Sequence, residues 1–139
     1  MGTSFVEYKG RGFWSWDGYL EHVLFLLADT IGLSPPELWL KEAQDHWREQ
    51  SSGIFNGWIH PNLDEYVSSE SRRTVVLRLI DELQSRRDVT PEAAETAGLL
   101  RRLLLGEITT DAASPLDYIV SGEHPYEWWV RRNAEMESY

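Results

Sequence analysis

At 139 residues the chain has the size of a single domain, long enough to bury roughly two-thirds of the surface its unfolded form exposes. It carries 23 acids against 13 bases, a formal net charge of −10, and no cysteine. That balance opposes binding to nucleic-acid phosphates and anionic lipid surfaces, and the missing thiols exclude disulfides, thiolate zinc sites and cysteine nucleophiles.

No repeat, low-complexity tract or long linker interrupts the sequence, so one domain is expected from about Phe5 to about Met136. At the start, only Ser4 to Tyr8 shows anything of a strand's alternation. Trp14 and Trp16 flank Ser15 just ahead of a helix, and the spacing predicts that one staples the helix start while the other is exposed. Leu20, Val23, Leu24, Leu27 and Ile31 form one apolar stripe of that helix, with Ser15 or Asp17 as N-cap and Gly32 as its stop. Its apolar run from Val23 to Ala28 is far short of the ~20 residues that cross a bilayer. No basic region precedes an apolar one at the start of the chain, and a cytoplasmic protein is expected.

Ser34-Pro35-Pro36-Glu37 has the spacing of a capping box with proline in the first turn, which predicts a second helix from Pro36 to Gln50 with Ala43 and Trp47 on its inner face. Gly53, Gly57 and Pro61 then break the periodicity. Ile54, Phe55, Trp58 and Ile59 between them predict a loop that packs its side chains inward, with Trp47 and Trp58 both in the core. Asn62 and Glu65 predict a short helix through Val67. Val76, Leu79, Ile80 and Leu83 predict a long helix over 70–87, and Thr90-Pro91-Glu92 opens another that runs to Gly106 and pairs antiparallel with it across Asp88-Val89. Ser114-Pro115 predicts a short helical turn through Val120, and His124-Pro125 a last helix to about Met136. The expected fold is therefore all-α, a compact bundle of about five main helices with aromatic-rich loops.

Catalytic signatures are scarce. There is no Gly-x-Ser-x-Gly, no phosphate-cradling glycine loop and no Glu-x-x-His pair of the kind that holds two metals in a helical bundle. Asp64-Glu65 and Asp81-Glu82 are adjacent acids that point about 100° apart on a helix, which does not suit a carboxylate pair acting on one bond. The one metal-like grouping is His22 and His46 with Glu42 or His60 as third ligand, in the manner of a facial triad. It supports an alternative reading as a small metal-dependent helical enzyme.

Acids and aromatics, by contrast, share three windows without lysine or arginine: Gly12 to Leu40, Glu49 to Ser71, and Leu103 to Val130. Indole combines large apolar area with one donor, which serves a binding hot spot as well as a core. Trp128 and Trp129 cannot both point inward from one helical turn; with Tyr118, Tyr126, Glu123 and Glu127 they form the expected exposed patch. The expected partner-binding set is Trp16, Asp17, Glu21, Glu123, Tyr126, Glu127, Trp128 and Trp129. The arginine doublets at 72–73, 101–102 and 131–132 read as solvated helix faces. Exposed aromatics facing each other across a homodimer remain a further reading.

The opening Phe5-Val6-Glu7-Tyr8-Lys9-Gly10-Arg11-Gly12-Phe13-Trp14-Ser15, running into Tyr19-Leu20-Glu21, resembles the start of small bacterial proteins. The short, acidic, cysteine-free and aromatic-rich profile is similar to that of immunity proteins of bacterial polymorphic toxin systems. The resemblance implies a non-catalytic cytoplasmic protein without cofactors that binds and neutralises a basic toxin or effector. The arginines of the later helices depart from a uniformly acidic mimic of nucleic acid.

Overall fold

The computed structural model describes residues 2–55 and 57–108, and everything below concerns those residues. Two strands, β1 (Thr3–Tyr8) and β2 (Arg11–Trp16), form an antiparallel hairpin in which Thr3 faces Trp16 and Tyr8 faces Arg11. Five helices follow: α1 (Asp17–Ile31), α2 (Leu38–Gln50), α3 (Leu63–Tyr66), α4 (Glu70–Gln84) and α5 (Pro91–Leu104).

The hairpin overturns the expected all-α class. Its turn is Lys9-Gly10, with both residues at positive φ (52° and 76°), the backbone a two-residue type I′ turn requires. Asparagine or aspartate before glycine is the usual signal for that turn, and lysine hides it. The strands hide as well, because polar Ser4 and Ser15 take buried positions on one face while aromatic Phe5 and Trp14 lie partly exposed on the other, which blurs the apolar-polar alternation of a half-buried strand. Gly12 is required here. A Cβ on it would sit 2.2 Å from the Val6 carbonyl oxygen and 2.5 Å from Cζ of Phe5, whose ring fills the space a side chain would take.

α1 is the central element and packs against α2, α4, α5 and β2. Leu20, Val23, Leu24 and Leu27 are buried as their stripe predicts, and Ile31 packs partly buried against the same core. Gly32 ends the helix at φ 87°. Neither Ser15 nor Asp17 caps it: Trp16 occupies the cap position without a side-chain bond. α2 starts two residues later than expected, at Leu38, with Glu37 in extended backbone (φ −129°, ψ 146°) at the cap position and no side-chain cap bond. Buried Gln44 ties α2 to the end of α1 by donating from Nε2 to the carbonyls of Ala28 (2.9 Å) and Gly32 (2.6 Å).

α4 begins at a real cap, with Ser69 Oγ accepting from the Arg72 N–H, and α5 at another, with Thr90 Oγ1 accepting from Ala93 N–H. Arg101 reaches Asp81 at 2.9 Å and Gln84 reaches the Ala94 carbonyl, as two antiparallel helices joined by a tight turn should. Between them Arg86 donates to both carboxylate oxygens of Asp88 (2.8 and 2.7 Å) and to Asp29 of α1 (2.9 Å). The Arg86 hydrogen bond holds the Asp88 carboxyl below its ordinary pKa. The expected segments after Gly106, with Tyr118, Glu123, Tyr126, Glu127, Trp128 and Trp129, lie outside the described residues.

Candidate acidic binding face

Of the three expected binding residues among the described ones, Glu21 is partly open, while Trp16 and Asp17 are buried. Trp16 packs with Trp14 and Tyr19 in a small apolar cluster of its own. Asp17 is a structural hub. Its Oδ1 accepts from the Ser4 hydroxyl (2.6 Å) and its Oδ2 from the Gly57 N–H (2.6 Å), while its own N–H donates to the Gly2 carbonyl (3.0 Å). Its carboxylate is thereby committed to joining the hairpin, α1 and the loop after α2.

Glu21 stands one turn further along α1. Burial first, and the Asp17 charge second, raise its carboxyl above the ordinary pKa of 4.5. A group whose pKa is raised by folding contributes stability that is full below its unfolded pKa and lost as pH rises through the folded one. Glu21→Gln is therefore expected to melt above the wild type at pH 7, with the gain shrinking as pH falls through the carboxylate range. Thermal melts of both proteins at pH 7 and pH 4 check this.

The alternative metal set is not assembled. Among the described residues no group of three histidines, aspartates or glutamates is placed to hold a metal. His22 lies on α1 within electrostatic reach of Asp88. His46 instead turns to the loop before α3, donating from Nε2 to the His60 carbonyl (2.6 Å) and packing its ring 5.7 Å from that of Tyr66.

The acids do converge elsewhere. A cleft of about 310 Å³ opens between β1 and the start of α3, lined by Phe5, Glu7, His60, Pro61, Asn62, Leu63, Asp64 and Glu65. Its position follows from local backbone: Asn62 in left-handed conformation (φ 53°) turns the chain into α3, and the Lys9 N–H donates to Asp64 Oδ1 at 2.9 Å, holding the hairpin turn against that helix. Three carboxylates and no lysine or arginine line the cleft, and the Lys9 ammonium sits away over the Tyr8 ring. Beside it, burial raises the Tyr66 hydroxyl pKa, and the charges of Glu65, Glu42 and Glu49 raise it further, which places two acids of α2 around the same region. The bases gather on another side: Lys9, Arg11 and Arg73 line a separate groove between the hairpin and the end of α5.

Acids from β1 and α3 thus line one cleft, and Glu42 and Glu49 of α2 bear on Tyr66 beside it, together forming an acidic face. Of its members, sequence reasoning considered Glu42 only as a metal ligand and Asp64 and Glu65 only as a catalytic pair. The base-free window from Glu49 to Ser71 was the signal that could have found this face. No family model, curated protein or solved structure matches the chain. No helix among the described residues is long and apolar enough to cross a membrane.

Proposed function

We propose that this protein is a non-catalytic binding domain that captures and neutralises a basic protein, in the manner of the immunity proteins its profile resembles. The observation that carries this reading is the cleft of Glu7, Asp64 and Glu65, adjoined by Glu42 and Glu49, with no base in its lining. Carboxylates gathered on one surface present a negative potential that arginines or lysines of a partner complement. The same field draws a positively charged partner in from solution and raises its association rate.

Affinity capture from the native host at low and at high salt tests the reading. A basic protein held by the wild type at low salt and shed at high salt is expected. Glu7→Gln/Glu65→Gln, whose substituted side chains are exposed and carry no structural bond, should retain the fold and lose most of that capture. Equal capture by the variant, or a captured protein of acidic character, contradicts it.

A further inference from the structure

We infer that Trp58, with Ile54, is the apolar anchor by which this domain enters a pocket on its partner, and that the pocket has an arginine- or lysine-rich rim. The inference rests on the reading above and adds where the affinity is concentrated.

Trp58 is 75% exposed and Ile54 77%, although composition and spacing assign both to the core. Their exposure does not come from a slack loop. On either side the backbone is tied down by polar groups: Gly57 N–H to Asp17 Oδ2 (2.6 Å), Ile59 N–H to the buried Ser4 hydroxyl (3.1 Å), and His60 N–H to Gln50 Oε1 (2.8 Å). The indole of buried Trp47 holds the Pro61 carbonyl at 2.8 Å, and the Trp58 N–H closes a turn onto the Phe55 carbonyl at 2.8 Å. Ile59, next in the chain, is fully buried. Gly53 and Gly57, at φ 88° and 80°, supply left-handed backbone on either side of Ile54 and directly before Trp58.

A large aromatic on a backbone already fixed loses little conformational freedom when it enters a pocket, the arrangement that makes tryptophan a frequent hot spot. The surroundings select the partner. The window from Glu49 to Ser71 holds no base, Glu21 comes within 4.0 Å of where a Gly53 Cβ would stand, and the acidic cleft begins at His60, two residues beyond Trp58. A second copy docking through this same face would set acid against acid, and an anionic lipid surface would meet the same repulsion. An apolar pocket ringed by positive charge satisfies both parts of the surface.

A photoreactive benzoylphenylalanine placed at position 58, and separately at position 65, in the full chain expressed in the native host tests the inference. Cross-linking from both positions to the same basic protein is expected. With that protein purified, Trp58→Ala should weaken binding by ~30-fold or more at low and at high salt alike, because apolar burial is not screened. Glu65→Gln should weaken it at low salt only. Trp58 is exposed, so Trp58→Ala should keep the wild-type melting temperature. A cross-link from 65 without one from 58, or a loss below ~3-fold on Trp58→Ala, overturns the anchor and leaves the acidic face standing. Cross-linking of 58 to a second copy alone also overturns the anchor. Silence at both positions overturns the proposed function with it.

Discussion

Trp47→Ala is expected to destabilise the fold by about 3–5 kcal/mol, lowering Tm by roughly 10 °C or more. The side chain is fully buried in the main core, its ring lies edge-on to Tyr66 at 6.3 Å, and its Nε1 holds the Pro61 carbonyl. Truncation removes apolar contact and leaves a cavity between α2 and α3. It also leaves the Pro61 carbonyl without its donor. Trp47→Phe separates the two effects, since a ring remains while the donor is lost, and should cost about 1–3 kcal/mol. Chemical denaturation with the two variants side by side checks the ordering. A Trp47→Ala loss below about 1 kcal/mol would contradict this packing.

The second large effect is at Asp17. Asp17→Ala should cost about 3 kcal/mol, because a Ser4 hydroxyl and a Gly57 N–H each lose an ionised acceptor in a buried setting. The acid also sits in the first turn of α1, where its charge meets the positive end of the helix dipole. Asp17→Asn should rescue only in part: its amide oxygen can accept from the Gly57 N–H and its Nδ2 can donate to the Ser4 oxygen, but the Ser4 hydroxyl proton then loses its acceptor. Denaturation midpoints of both variants give the stability loss. The same change unties the loop that presents Trp58, so hydrogen exchange at the Gly57 and Ile59 amides should rise well before global unfolding. Wild-type protection at those amides in Asp17→Ala would show that the carboxylate does not hold the loop.

Helices were the legible part of this sequence. Apolar stripes at helical spacing put α1, α4 and α5 within a few residues of where they lie, and the Ser69 and Thr90 caps act through local bonds that short patterns record. The hairpin was opaque because its buried face carries polar Ser4 and Ser15, its other face carries aromatic Phe5 and Trp14, and its turn uses lysine at positive φ. Asp17 shows a different limit. As a sequence feature it is one acid in an acidic window, and its burial depends on Ser4 and Gly57, which are 13 and 40 residues away. Trp58 failed for the opposite reason. Its apolar neighbours argue for burial, yet tethers from three other segments fix the backbone so that Ile59 turns in and Trp58 turns out. The acidic cleft combines Glu7 with Asp64 and Glu65, a pairing that only the β1–α3 contact creates.

The central claim is that the acidic face binds a basic protein. Its most direct test is the association rate of the captured partner measured across ionic strength, with the wild type and with Glu7→Gln/Glu65→Gln. The account predicts that the wild-type rate falls steeply with added salt and that the variant starts slower and depends on salt less. A wild-type rate indifferent to salt, or one that the two neutralised carboxylates leave unchanged, would contradict it.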